Sequence, residues 1–317
     1  MYGGITAGIV ALPLALAFGV SSGLGPSAGL YGAIFISFFA ALFGGTNTQI
    51  SGPTAPMTAV SMVVIAGIVA ASDGNVEKAM PAILSVFLLA GLMQVGLGVV
   101  GLGKYIKYIP YPVVSGFMTA IGVIILVTQV LPSLGYYPKA SGVIGAIKIL
   151  PRALRNINWL ELILALCTIL IIYGFKYITK AVPSTLVALL LMSGVAVGFG
   201  LDYRPIEEIP SGLPLPNLGI ITDFNLATIL PYFFTALTLA LLGAIDSLLT
   251  SVVADNMTKT QHKPNKELVG QGIGNSVAAI FGGIPGAGAT IRTVVNINAG
   301  GKTRLSGMVA GVLLLVI

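Results

Sequence analysis

Charge is what this chain has least of. Only 8% of its 317 residues are Asp, Glu, Lys or Arg, against 56% that are hydrophobic, whereas a soluble domain carries about 25% charged residues. Too few charges remain to coat a water-facing surface, which excludes a soluble enzyme, a nucleic-acid binder and a disordered chain. The net charge of +6 does not restore the nucleic-acid reading, because the basic residues sit in short loops between apolar runs and form no stripe. Cysteine is nearly absent: Cys167 alone allows neither an internal disulfide nor a cysteine-rich metal site, and in its apolar run it reads as a small packing residue. The single histidine, His262, lies in the charged loop Lys259–Lys266 and reads as solvated, with Asp255 and Glu267 beside it to meet the loop lysines or cap helices. No Ser/His/Asp triad, paired-carboxylate site or zinc spacing is present, so no enzyme is expected. Gly286-Ala-Gly288 lacks the GKS/T and the preceding strand of a nucleotide loop.

Long apolar runs dominate instead, with a mean hydropathy of +0.99. A bilayer-spanning helix takes about 20 apolar residues, and about ten stretches qualify. They cover 4–22, 26–43, 54–71, 80–102, 112–131, 158–175, 182–200, 228–254, 266–281 and 303–317, with a shorter one after Thr290. Period-two alternation is missing, which argues against strands and a lipid-spanning barrel. The expectation is an all-α polytopic membrane protein. Forty-one glycines and 18 prolines suit spans that are broken or closely packed. The apolar run Leu313–Ile317 has no flanking charge, so further helices are expected beyond it.

Short-loop Lys and Arg set the orientation. Lys104/Lys107, Lys176/Lys180, Lys259/Lys263/Lys266 and Lys302/Arg304 mark cytoplasmic loops. Asp73/Glu77 and the acidic loop from Asp202 to Asp223 then fall outside, and the N-terminus is cytoplasmic in a cell (inner or plasma) membrane. The segment 139–155 disagrees: it carries Lys139, Lys148, Arg152 and Arg155 yet falls outside by span count. The spacing of Ile144, Ile147, Ile149, Leu150 and Leu154 predicts an amphipathic surface helix there. Tyr105, Tyr108, Tyr111, Tyr136, Tyr137 and Trp159 fall near span ends, as interfacial aromatics do.

Two distant segments are alike. Phe43-Gly44-Gly45 leads through small and polar residues to Thr54, and Phe281-Gly282-Gly283 leads through Gly286-Ala-Gly288-Ala289 to Thr290; each Thr opens an apolar run. Small residues of this kind predict extended backbone followed by a half-helix, which membrane depth tolerates only inside protein or along a cavity. Corresponding interruptions in two halves point to a transporter's central site. The span count runs the two half-helices antiparallel, so their N-termini meet near the midplane and offer N–H groups and partial positive charge to an anion. Asp246 and Arg292 are the charges well inside the spans, hence functional candidates. Asp246 and Thr250 share a helix face, and carboxylate, hydroxyl and loose carbonyls together suit a hard cation such as Na⁺. Arg292 is placed to bind the anion, to neutralise Asp246, or to alternate between the two.

These stretches resemble the SulP inorganic-anion transporters (the sulfate permease family), and among them the cyanobacterial bicarbonate carriers. The likeness rests on Ala11-Leu-Pro-Leu-Ala-Leu-Ala-Phe-Gly19, Ser51-Gly-Pro-Thr54-Ala-Pro-Met57, Gly243-Ala-Ile-Asp246-Ser-Leu-Leu-Thr250, Asn265-Lys-Glu-Leu-Val-Gly-Gln-Gly272 and Gly286-Ala-Gly-Ala-Thr290. It implies a fold of seven plus seven inverted spans in which a core domain moves against a gate domain, elevator-like. The core would comprise 1–103 and 228–317, the gate 104–200 and an extracellular loop 201–227, with the last gate helices and a cytoplasmic STAS domain outside this sequence. It further implies an anion beside Thr54, Ala55, Ala289 and Thr290, and Na⁺ on Asp246, Thr250, Gly288 and Thr290. Arg292 departs from the bicarbonate carriers and matches the sulfate members. The function expected is secondary transport of bicarbonate or sulfate, coupled to Na⁺, with no other cofactor. A proton-coupled dicarboxylate or nucleobase carrier, or an anion channel, is the alternative. The expected partners are a small inorganic anion, the lipid bilayer and, as one option, a second copy in a homodimer.

Overall fold

The computed structural model describes residues 1–108, 111–136, 142–178, 184–203, 212, 214–217 and 230–317. Its helices are α1 (Tyr2–Ser22), α2 (Pro26–Phe43), α3 (Ala55–Ala71), α4 (Val76–Val99), α5 (Tyr111–Ser133), α6 (Gly142–Arg155), α7 (Trp159–Ile178), α8 (Ser184–Gly198), α9 (Phe233–Thr258), α10 (Pro264–Ile280), α11 (Thr290–Asn298) and α12 (Leu305–Val316). Each coincides with an apolar run, the amphipathic segment or the Thr290 stretch. Local chemistry sets the ends. Gly23, at φ 90°, closes α1 in the left-handed conformation; the Asn75 side chain accepts from Lys78 N at 3.1 Å to start α4; Pro26 and Pro264 open α2 and α10. Helices α1, α2, α4 and α9 are long and apolar enough to cross a bilayer outright, while Ala55–Ala71 and Leu305–Val316 are shorter apolar helices.

The chain divides into two compact units, Met1–Ile121 with Glu208–Ile317, and Gly122–Glu207. In the first, α10 packs on α4 and α2, α2 packs on α12 and α1, and α9 lies against α4. Small residues permit these approaches. A methyl group at Gly29 would overlap the Ala15 carbonyl, and one at Gly91 would meet Ser276 and the Gly272 carbonyl. In the second unit α7 packs on α8, and Ala146 and Ala153 of α6 are buried with Leu131 and Leu134. The acidic loop 201–227 lies mostly outside the described residues, as do Tyr137, Lys139 and Lys180.

The structure corrects the strand reading. β1 (Ser51–Gly52) and β2 (Ala287–Gly288) pair antiparallel, Ser51 opposite Gly288 and Gly52 opposite Ala287. Two-residue strands leave no alternation to detect. The half-helix expectation also needs adjustment: α11 has 9 residues, but α3 has 17, about 26 Å at 1.5 Å per residue. The run behind Thr54 takes Thr58 and Ser61 into the helix and continues to Ala71, whereas that behind Thr290 meets Asn296 and Asn298 and ends.

Candidate functional site

The two interrupted stretches are non-helical backbone inside a membrane protein, so their polar groups need partners from the protein itself. Helix α11 supplies many of them. Arg292, Thr293 and Asn296 are all buried and all bond to the first stretch. The Arg292 Nη2 donates to the Pro53 carbonyl, Thr293 Oγ1 accepts from Ile50 N at 3.0 Å, and Asn296 Nδ2 donates to Thr48 O at 2.8 Å. Ala289 N, at the head of α11, donates to Ile50 O at 2.8 Å. The second stretch is held from α9 and α10: Gly286 N donates to Asn275 Oδ1 at 2.8 Å, Asn275 Nδ2 returns a bond to Gly286 O at 3.0 Å, and Gly288 N donates to Ser247 Oγ at 3.1 Å.

The β1–β2 pair brings together the residues that open α3 and α11. Thr54 and Ala289 occupy the N-cap positions, and neither side chain caps its helix. Thr54 is engaged elsewhere: its Oγ1 donates to Asp246 Oδ2 at 2.9 Å. One turn along α9, Thr250 Oγ1 donates to Gly288 O at 2.9 Å and lies 2.8 Å from Thr290 Oγ1. The first half therefore meets α9 at Asp246 and Ser251, and the second half at Ser247 and Thr250. Thr54, Asp246, Thr250 and Ala289 are buried, Ala55 is half-buried and Thr290 is exposed. Thr250, Gly288 and Thr290 thus bring two hydroxyls and a carbonyl within hydrogen-bond distance of one another, with the Asp246 carboxylate one turn earlier on α9; carboxylate, carbonyl and hydroxyl are the donor types of a hard cation. Beside them, two helix starts without side-chain caps present partial positive charge. Pro56 removes one N–H from the α3 start.

Arg292 is buried, 2% exposed. Its Nη2 bonds to Pro53, and its Nη1 has no partner. It makes no direct ion pair with Asp246: the ion pair found among the described residues joins His262 to Asp255 at 2.6 Å. Of the alternatives for Arg292, direct pairing with Asp246 is not what the geometry contains.

Two readings of polar residues are corrected. Asp255 meets no loop lysine; it accepts from His262 N at 2.9 Å, contacts the His262 ring and accepts from Thr260 Oγ1. His262 is accordingly half-buried, not solvated. Glu267 is 1% exposed and also avoids the lysines. Its Oε2 accepts from Gly45 N and Thr46 N, each at 2.8 Å, and its Oε1 from Gln49 Nε2 and Gln271 Nε2, each at 2.9 Å. Four N–H donors match an acceptor-only carboxylate, and Glu267 stands in the first turn of α10, where the helix favours negative charge.

Sequence reasoning passed over the row that Glu267 begins. Gln271 follows at i+4 and bonds to Ser51 Oγ, and Asn275 at i+8 bonds to Gly286 and to Gln94 Oε1. One face of α10 therefore holds both interrupted stretches. Gln49 extends the row: it donates to Glu267, accepts from Ser251 Oγ at 2.9 Å, and presses against Gly288. The available signal was long polar side chains repeating every four residues in a helix whose other residues after Lys266 are small or apolar.

Comparison with known proteins places this geometry. The sulfate permease family profile matches residues 1–317. The chain is 47% identical to the bicarbonate transporter BicA of Picosynechococcus sp., over 100% of this chain and 56% of that protein. It is 35% identical to the putative sulfate transporter YvdB of Bacillus subtilis, over 99% of this chain and 58% of the relative. The chain thus spans little more than half the length of these relatives. The solved transmembrane domain of a cyanobacterial BicA superposes with a TM-score of 0.91 at 48% identity, covering 99% of this chain and 80% of that one. The anion transporter SLC26A9 from mouse, at 19% identity, matches in fold with a TM-score of 0.80, over 99% of this chain and 55% of that one. The fold is that of these transmembrane domains, the seven-plus-seven inverted repeat.

Proposed function

The chain belongs to the sulfate permease family, and on that premise we propose that it carries the substrate site of a secondary transporter for a small inorganic oxyanion, bicarbonate or sulfate, driven by Na⁺. One observation supports this above others: the starts of α3 and α11, joined through β1 and β2, converge on Asp246 and Thr250 of α9. The anion would lie against the helix starts at Thr54, Ala55, Ala289 and Thr290. Na⁺ would take oxygens from Asp246, Thr250, Gly288 and Thr290. In this reading the cation compensates the charge that the anion brings into low dielectric, and neither ion is bound well alone. The segments 1–103 and 228–317 would move as a core against a gate in 104–200, with the N-terminus in the cytoplasm of a cell membrane and a second copy as partner. Uptake of labelled bicarbonate and sulfate into proteoliposomes, with and without an inward Na⁺ gradient, tests it. Equal uptake under both conditions would remove the coupling, and none of either anion would remove the substrate class.

Arg292 favours sulfate within this class. Its Nη1 is buried without a partner, and a dianion gains more from a guanidinium than a monoanion does.

A further inference from the structure

Helix α6 contributes none of the site residues named above, and it is sharply amphipathic between two apolar helices, α5 and α7. The Val143–Arg155 and Trp159–Phe175 helices meet at a bend of 112°. If α7 crosses the bilayer, α6 runs close to the membrane plane. Its inner side is fixed: Ala146 and Ala153 are buried against Leu131 and Leu134, with Ile149 and Leu150 packed beside them. Its outer side carries Ile144, 72% exposed, Ile147 and Leu154. Lys148, Arg152 and Arg155, at i, i+4 and i+7, form one exposed flank next to that apolar row. No ion pair ties them among the described residues, and no acid occurs between Gly142 and Trp159.

The geometry points to an anionic-phospholipid site on α6: acyl chains against Ile144, Ile147 and Leu154, and headgroup phosphates on Lys148, Arg152 and Arg155. An in-plane helix with this division places its apolar side at the acyl boundary and its cations at phosphate depth. Long basic side chains reach the headgroups while their stems stay on apolar surface. The charge selects the occupant. A zwitterionic lipid gives three cations on one flank no net countercharge, whereas each anionic headgroup does. A second copy of the chain is a poorer fit, because a two-fold contact through this face sets the same cations against themselves. Trp159, 67% exposed at the start of α7, stands where an interfacial aromatic belongs.

That residue is the chain's one tryptophan, so its fluorescence reports this place alone. The purified protein is reconstituted in phosphatidylcholine bilayers containing a minority of phosphatidylglycerol, with bromine on the chains of one lipid or the other. The expected result is quenching of Trp159 by brominated phosphatidylglycerol on the order of tenfold beyond its mole fraction. The excess should fall in concentrated salt, which screens exposed charges. It should vanish in the triple variant Lys148→Gln, Arg152→Gln, Arg155→Gln, leaving quenching by brominated phosphatidylcholine intact. Quenching that follows mole fraction in the unaltered protein overturns the proposal. So does quenching by neither brominated lipid, which would mean that protein covers the face. The readout is independent of transport, so a failed uptake assay and a failed lipid assay are separate results.

Discussion

Thr54 and Asp246, 192 positions apart, are joined by a 2.9 Å hydrogen bond in which the threonine donates to the carboxylate. This single contact explains why Thr54 does not cap its own helix. Its hydroxyl is turned toward α9, so the start of α3 and Asp246 cannot shift independently.

Replacing the acid isolates its charge. In Asp246→Asn the amide oxygen can still accept from Thr54, so the fold should survive, while the proposed Na⁺ ligands lose their only carboxylate. Na⁺-stimulated uptake should fall at least about 100-fold, as expected when a charged ligand worth about 3 kcal/mol is removed. A Na⁺ titration on proteoliposomes, beside size-exclusion profiles of both proteins, provides the check. Equal Na⁺ responses would make Asp246 a structural residue.

Gly288, a proposed Na⁺ ligand, has no room for a side chain. A methyl there would collide with the Gln49 amide, and that amide cannot swing away because Glu267 and Ser251 hold it. Gly288→Ala should therefore displace the Gly288 carbonyl, costing about 1–3 kcal/mol as overpacking. The half-saturating Na⁺ concentration should rise. Adding Gln49→Ala makes space for the methyl and should recover part of the loss. A double variant no better than Gly288→Ala would place the fault elsewhere.

Glu267→Gln tests the row on α10. The amide must turn its NH₂ toward either the backbone donors Gly45 and Thr46 or the side-chain donors Gln49 and Gln271, so at least one donor pair loses its acceptor. A loss of about 1–3 kcal/mol is expected for each charge-assisted bond left unmade, read as a lower thermal midpoint in detergent. Moving the carboxylate to its neighbour, with Glu267→Gln and Gln49→Glu together, should return much of it. Lys263→Gln, one turn earlier in the charged loop, should leave the midpoint unchanged. An unshifted midpoint in Glu267→Gln would show that the four bonds contribute nothing net.

The helices were legible because hydrophobicity over about 20 residues is a strong local signal, and Asp246, Thr250 and Thr290 were legible because polar residues are conspicuous in such runs. The contacts between halves were not. Nothing local says that Arg292, Thr293 and Asn296 will bond to the backbone of residues 48–53, since that follows from the antiparallel meeting of β1 and β2. Glu267 was misread for a related reason. It follows three lysines within eight residues, and local charge suggested that it meets them or caps a helix, but its helix begins at Pro264 and turns the carboxylate inward to Gly45 and Thr46. The first interrupted stretch was expected to end in a half-helix, and α3 instead runs nearly a full span, taking Thr58, Ser61 and Gly67 into the helix without ending it.

On the proposed reading, Arg292 is the residue on which the choice of anion turns. The α11 helix start favours an anion by about 0.3–2 kcal/mol, enough to help a monoanion without a guanidinium. A dianion is costlier to desolvate and gains more from charge-assisted, paired hydrogen bonds. The structure leaves Nη1 without a partner while Nη2 holds the Pro53 carbonyl, so one donor is committed to the protein and another is free for a ligand. No salt bridge joins Arg292 to Asp246, although the two buried charges still act on each other through space. Arg292→Gly should therefore abolish sulfate uptake and spare most bicarbonate uptake, with some loss of both because Pro53 loses its donor. Arg292→Lys should be intermediate, since an ammonium can reach one acceptor but not span two. The measurement is competitive uptake of the two labelled anions by each variant at fixed Na⁺. Equal losses of both anions would make Arg292 a strut for the first stretch.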